Sequence, residues 1–446
     1  MSESHYDVII AGGGLSGVLS ALNIRSALPK ARILIIEKEE VAGGRLRTTC
    51  EKDRRWGFGL NVLNRRLLDY TVESAASVVE SFSAENYDEV ELNRFAHLSG
   101  SKLSEYGCAD VLRVEGAKKI AGRNAGKEFA QLEDLYSKFE NDEEGSFKDD
   151  RMLKLLKLKR KSAGGVALET QAVAAGIPDV WSASLACVHG KMQAHSQGLF
   201  KGRWDEFCED MLDVLSADGA TDVFRRCHIV RATKEDGRYV FKTEKGELTA
   251  SELVVAQNPW SAIRWLDKEL FPIDLLNIVL KSKPVSLVTL TTLKKDTSLL
   301  PDLSIIAAEK CTAFAYQNSV TFQATIDYEM SLAAPEVVKA VKRLRRSRQR
   351  ATQFFEGLEL EGEFVALLPC AWPVPTGFSD LKLVDRLGRK EMLIDGKPVF
   401  CGDTYGRSFD GDENILSSVP NVVDAIVQRI ATNVMSTSTA EHSQQL

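Results

Sequence analysis

Residues 6–49, YDVIIAGGGLSGVLSALNIRSALPKARILIIEKEEVAGGRLRTT, constrain the fold of this chain more than any other stretch. Tyr6 to Ala11 is an apolar run of strand length, the pattern of a strand buried on both faces of a parallel sheet. It leads into Gly12-Gly13-Gly14-Leu15-Ser16-Gly17, which satisfies G-x-G-x-x-G. In such a turn Gly12 permits the sharp reversal, Gly14 lets a pyrophosphate approach the backbone, and Gly17 lets the helix pack close to the strand. The helix that starts at Leu15 and Ser16 then offers free N–H groups and a partial positive charge to phosphates. A second apolar strand, Arg32 to Ile36, ends at Glu37, 20 residues beyond Gly17 and next to Lys38. A carboxylate there accepts hydrogen bonds from a ribose and repels a 2′-phosphate. Strand, glycine turn, helix, strand and terminal acid at these spacings predict a Rossmann-like dinucleotide site.

The next residues decide which dinucleotide. Val41-Ala42-Gly43-Gly44-Arg45-Leu46-Arg47-Thr48 resembles the GG-R-[ST] loop of the flavin amine oxidase superfamily, which includes phytoene desaturases and protoporphyrinogen oxidases. The resemblance implies FAD, bound noncovalently, with Gly43, Gly44 and Arg45 against its phosphates and ribityl chain; a guanidinium suits phosphate oxygens. Arg55 to Val62 looks like the family's second segment, near the flavin ring. Gly59 fits it, while Gly57 stands for the usual acid and Asn61 for the polar position. Asn61 and Asn64 are candidate polar contacts or turn caps.

Further family-like blocks follow. A helix from Trp204 to Leu215, a strand at Phe224–Val230, and a hairpin with turns at Asp236-Gly237 and Lys245-Gly246 resemble the second FAD segment. There the resemblance assigns Val230 a backbone contact to adenine. Pro398-Val399-Phe400-Cys401-Gly402-Asp403 looks like the last FAD motif, whose acid accepts a ribityl hydroxyl. The closing helix, read as opening at Ile415-Leu416, would stabilise negative charge on the reduced ring from its N-terminus. The family lysine bridged through water to flavin N5 matches Lys283, with Lys281 as the alternative. Trp372, in a W-x-P-like segment, is the candidate aromatic wall, and Cys370 lies near a position where some relatives attach flavin covalently.

These blocks imply an α/β fold: a discontinuous FAD-binding domain (1–65, 196–270, 390–435) with an interleaved α+β substrate domain (66–195, 271–389). A polar, disordered tail is expected over 436–446. The stretch 66–194 reads as mainly helical, with Ala163-Gly164-Gly165 ending a helix. Two basic amphipathic stretches, 151–161 and 337–350, are either solvated helix faces or contacts to a membrane or partner. A net charge of −6 leaves no global footprint for nucleic acid, and eight scattered cysteines without C-x-x-C suggest neither zinc nor a redox dithiol. His189 and His195 lack metal-pair spacing, so no metal site is expected. Reduced cysteines and no basic leader segment at the start read as cytoplasmic. No second G-x-G-x-x-G marks an NAD(P)H domain, and the resemblance implies an FAD oxidoreductase that takes a hydride from a C–N or C–C bond of a small or lipophilic small-molecule substrate. A non-catalytic binding protein on the same fold, or an FAD protein with a degenerate active site, is the alternative.

Overall fold

The computed structural model describes residues 4–46, 48–51, 54–57, 62–92, 94–99, 102–142, 156, 158–177, 180–181, 183–217, 219–273, 275–277, 284–295, 303–306, 311–316, 318–327, 332–373, 397–403, 405 and 411–444. The first apolar run forms strand β1 (Ser4–Ala11), followed by helix α1 (Leu15–Ala27) and strand β2 (Ile33–Ile36). β1 lies parallel between β2 and the strand Gly246–Val255, and β2 pairs in parallel with Thr221–Phe224. The end of Gly246–Val255 also pairs in parallel with Val399–Phe400, so strands distant in sequence share one sheet edge. Both faces of this sheet are covered, which explains the uninterrupted apolar runs. Val8, Ile10, Ile33 and Ile35 pack toward α1, the helix Trp204–Ala217 and the closing helix. Ile9, Leu34 and Ile36 pack toward Tyr239, Phe241 and Trp265 on the other side.

The hairpin forms as expected, with Asp236 at φ +48° and Gly237 at φ +82° joining Ile229–Glu235 to Arg238–Thr243. This is the type I′ geometry that Asp-Gly favours. The span 224–230, read as one strand, is instead the end of Thr221–Phe224, a reversal at Arg226 (φ +50°), and the start of Ile229–Glu235. A non-glycine residue in the left-handed region leaves little trace in a sequence.

A second sheet of seven strands runs Leu360–Pro373, Pro284–Lys294, Ser319–Asp327, Cys311–Tyr316, Leu303–Ile306, Arg94–Ser99, Lys102–Gly107. Its last two strands fall within 66–194, a span that is otherwise mainly helical as read, with helices Arg65–Ala76, Val114–Glu140, Ala163–Ala174 and Leu185–Ser196. The hairpin they form joins the sheet through Leu303–Ile306, a partner some 200 residues away that local periodicity cannot reveal. Ala163-Gly164-Gly165 begins a helix, Ala163–Ala174, capped by Ser162, whose side chain accepts from the Gly165 N–H at 3.2 Å. The glycine is there for closeness, since a Cβ on Gly165 would sit 2.0 Å from the Lys159 carbonyl oxygen.

The helix Ala334–Phe354, with Pro335 in its first turn, covers one face of the second sheet through Ala340, Leu344 and Ala351. Its basic side is partly neutralised: Arg345 bonds Glu363 at 2.9 Å, and Arg348 stands 3.8 Å from the same carboxylate. In the other basic stretch, Leu156 and Leu158 are buried in the core of the helical insertion, while 151–155 and 157 lie outside the described residues. The closing helix runs Gly411–Gln444, so it starts four residues before Ile415 and continues through most of the segment expected to be disordered. Extending an existing helix costs far less than nucleating one, which lets polar residues follow. Among the described residues no helix is long and apolar enough to cross a membrane.

His97 is buried in the strand Arg94–Ser99, and burial pushes its imidazole down to about 4, with Lys102 adding to the effect. Between pH 6.5 and 4 the unfolded chain takes up a proton that the folded His97 refuses, so this site withdraws stability as pH falls through that window. Below about 4 the loss is complete. Urea midpoints measured across pH 4–7 should therefore converge between wild type and His97→Leu at the acid end and diverge toward neutrality, or the reverse order if Leu packs better. In either case the difference between the two curves must slope only inside this window.

Candidate functional site

The glycine turn divides into positions the protein itself demands and one it does not. Gly12 has φ +119°, and a Cβ there would lie 2.8 Å from the Ala256 carbonyl oxygen. A Cβ on Gly17 would lie 2.0 Å from the Gly12 carbonyl oxygen, which fixes the close crossing of α1 over the strand end. Gly14 is different. Its φ is −78°, and a Cβ there would find only the backbone of Gly43 and Gly44, at 3.6 Å or more. Packing within the protein therefore does not require glycine at 14: a Cβ would rest in ordinary van der Waals contact on the GG loop, beside the start of α1. Gly14 is also the N-cap of α1 and offers no side-chain cap, which leaves the first-turn N–H groups, including those of Leu15 and Ser16, to an outside acceptor.

The GG loop docks on this turn. Gly43 N–H donates to the Gly13 carbonyl at 2.9 Å, and Gly14 and Gly43 form a parallel bridge. Behind the loop, the Ala42 N–H donates to Glu209 of the helix Trp204–Ala217, and Arg225 holds Glu209 at 2.6 Å. Glu37 is buried at the end of β2, where Oε2 accepts from the Gly13 N–H at 2.8 Å and Oε1 from the Glu39 N–H at 2.9 Å. Both oxygens are thereby aimed, and each keeps a lone pair for a hydroxyl. Lys38 is exposed beside it. Because each carboxylate oxygen faces an N–H, Glu37→Gln must point its amide nitrogen at one of them. The variant should lose about 1–3 kcal/mol of stability despite its identical size, measurable by chemical denaturation without added cofactor.

Gly402 and Asp403 follow Val399–Phe400 at the carboxyl edge of the sheet. Asp403 and Arg45, distant in sequence, meet in an ion pair across the mouth of the site. The Gly402 N–H donates to Ser418 Oγ at 3.0 Å, and Asn414 Nδ2 donates to the Asp403 carbonyl at 2.7 Å. Sequence reasoning missed Glu209, which acts on a loop 167 residues away, and Asn414, whose role depends on how the closing helix folds back on Asp403. Leu416 is partly buried in the second turn of the closing helix. The first turn of the helix is residues 411–414, upstream of it, which corrects the expectation that the helix opens at Ile415-Leu416. Val230 is 62% exposed and sits at the register shift between Ile229 and Arg231, where its backbone leaves the ladder. Asn64 caps the helix Arg65–Ala76, accepting from the Leu67 N–H at 2.8 Å. Gly59, Asn61 and Lys283 lie outside the described residues. Trp372 and Cys370 lie in the strand Leu360–Pro373, with Trp372 opposite Val285; their side chains are outside the described set.

His189 bonds Glu140 at 2.9 Å and His195 lies 3.7 Å from Cys108 Sγ, and among the described residues no group of side chains could hold a metal ion. The glycine turn at Gly14, the aimed carboxylate of Glu37 and the uncapped helix therefore specify a dinucleotide. The profile of the FAD-dependent oxidoreductase (DAO) family matches residues 7–389. The chain belongs to this family.

No curated protein matches the chain in sequence. Among solved structures, a candidate protoporphyrinogen oxidase from Exiguobacterium sp. 255-15 superposes with a TM-score of 0.65 at 15% identity, covering 96% of this chain and 100% of that one. Cyclohexylamine oxidase from Brevibacterium oxydans IH-35A gives 0.65 at 12% identity, covering 96% and 99%. A fatty acid isomerase of P. acnes that produces CLA gives 0.63 at 14%, covering 94% and 98%. At these identities the likeness is one of fold, and it is the fold that the GG-R loop pointed to. As an FAD-dependent oxidoreductase, the chain would hold the adenosine ribose with Glu37, the phosphates with the start of α1 and Arg45, and the ribityl chain with Asp403.

Proposed function

We propose that this FAD-dependent oxidoreductase removes a hydride from a C–N or C–C bond of a small or lipophilic substrate, with FAD held noncovalently. When bound, FAD supplies the hydride acceptor at its ring. The chain's own work is to bind and orient. Glu37 fixes the adenosine end, while Arg45 brings positive charge to the phosphates. Asp403, held by Asn414 and the Ser418-bonded Gly402, presents an acceptor for a hydroxyl.

The observation that carries this reading is the uncapped start of α1 at Gly14, with Glu37 aimed at the turn and Arg45 and Asp403 paired beside it. A binding protein freed from its cofactor has no need of that set. The structural neighbours named for an amine and for a fatty acid illustrate that the fold accommodates both kinds of chemistry. Anaerobic mixing of the FAD-loaded protein with a panel of primary amines, secondary amines and unsaturated lipids tests the proposal. Bleaching of the yellow colour by at least one class is expected. Protein that stays yellow with every class, yet bleaches with dithionite, would favour a cofactor held for structure.

A further inference from the structure

The helix Ala334–Phe354 carries seven basic residues and one acid, a concentration of charge that the cofactor site does not use. Its inner stripe, Ala340, Leu344, Ser347 and Ala351, is buried against the second sheet. A second stripe with helical spacing, Lys339, Lys342, Arg346 and Arg350, is exposed along the outer side, with Arg343 half-buried beside it. At ~1.5 Å per residue, the outer stripe is on the order of 16 Å long. The carboxylates at hand are fewer. Lys339 donates to Glu336 at 2.5 Å, Arg345 and Arg348 share Glu363, and Glu356 follows the helix. Seven cations against these three acids leave a local charge of +4 on a chain whose total is −6, so the remainder of the chain stands at −10.

Apolar side chains stand exposed at the start of the same helix. Leu332 is 70% exposed just before it and Val338 50% exposed within it, and Pro335 between them is exposed as well. One exposed apolar residue by itself means nothing. Here, however, Val338 lies one helical turn before Lys342, so hydrocarbon and positive charge share a surface. That surface has no aromatic ring on which a nucleic-acid base could stack. The one aromatic residue of the helix, Phe354, packs with Phe355 against the core beneath. The headgroup layer of a bilayer accepts both a line of point charges and exposed hydrocarbon, and it asks for no matched shape. Lysine and arginine suit it further, because their apolar stems lie along the acyl boundary while the charge stays at the phosphates.

We propose that the outer side of this helix docks the protein on an anionic lipid surface, with Lys339, Lys342, Arg346 and Arg350 at the phosphate layer and Leu332 and Val338 entering the acyl boundary. The contact is peripheral, since among the described residues no helix is long and apolar enough to cross a membrane. The excess negative charge on the remainder of the chain is repelled by the same surface, which selects this one face for the approach.

The test is co-sedimentation of the full-length protein with phosphatidylcholine vesicles, with and without about 30% phosphatidylserine, at about 0.1 M salt. Wild type should bind the phosphatidylserine vesicles and leave the pure phosphatidylcholine vesicles bare. Lys339→Gln/Lys342→Gln should keep the wild-type Tm and bind at least about tenfold more weakly. If the double variant melts lower, Lys342→Gln alone takes its place, with an expected loss of about fivefold. Val338→Ser leaves every charge in position and should still weaken binding several-fold, because it removes apolar contact with the acyl boundary. Equal binding to both kinds of vesicle, or binding to neither, would overturn the proposal. So would a lysine variant that binds as wild type does. Val338→Ser binding as tightly as wild type would overturn the choice of a bilayer. A single-stranded RNA oligomer bound by wild type but not by the lysine variant, with no vesicle binding, would make this face a nucleic-acid contact instead.

Discussion

Gly14→Ala is expected to fold with an unchanged Tm in the absence of FAD and to bind FAD at least about tenfold more weakly, a loss of ~1.4 kcal/mol or more. Gly17→Ala, three residues later, is expected to lose about 3 kcal/mol or more of stability before any cofactor is considered. The contrast follows from what each new Cβ would meet. At 17 it overlaps the Gly12 carbonyl oxygen at 2.0 Å, and neither the strand end nor α1 can retreat without opening the core around Val18 and Leu22. At 14 the nearest protein atom is 3.6 Å away, an ordinary contact with the GG loop, and the backbone is ordinary, so the methyl is tolerated by the fold and crowds only what binds at the start of α1. Thermal denaturation of the apo proteins, followed by titration with FAD, separates the two. If both variants are destabilised equally, Gly14 is a packing feature rather than a binding one.

The second large effect lies far from the cofactor. Arg429 of the closing helix bonds Glu252 Oε2 and the Lys397 carbonyl, each at 3.0 Å, and both charged side chains are about nine-tenths buried. Arg429→Met should cost about 3–5 kcal/mol, because it breaks a buried, hydrogen-bonded charge pair. Adding Glu252→Gln should recover much of that loss by removing the carboxylate's buried charge. The pair joins the helix to the central strand and, through Lys397, to the segment leading to Gly402 and Asp403. The single variant should therefore also weaken FAD binding. Urea midpoints for the two single variants and the double variant check the energetic claim. Strictly additive losses would contradict it.

The parts of this molecule that could be read from its sequence are those that depend on short spacing. The turn Gly12–Gly17, the acid at Glu37 and the hairpin at Asp236-Gly237 are each specified by neighbours in the chain. The strand ending at Gly402-Asp403 was legible because an apolar run followed by Gly-Asp has a local signature. What could not be read depends on distant partners. Arg94–Ser99 is a strand because Leu303–Ile306 lies beside it. Gly165 was taken for a helix breaker, although its role is to let a helix start pass close to Lys159. Glu209 supports the GG loop from 167 residues away, and Asn414 and Ser418, one turn apart on the closing helix, hold Asp403 and Gly402.

The most direct test of the account is the visible absorption spectrum of the purified protein before and after acid precipitation. Flavin bands in the native protein, with the yellow colour passing into the acid supernatant, are the predicted result: FAD bound noncovalently in the cradle formed by Gly14, Glu37, Arg45 and Asp403. A colourless protein that takes up no added FAD would contradict that account.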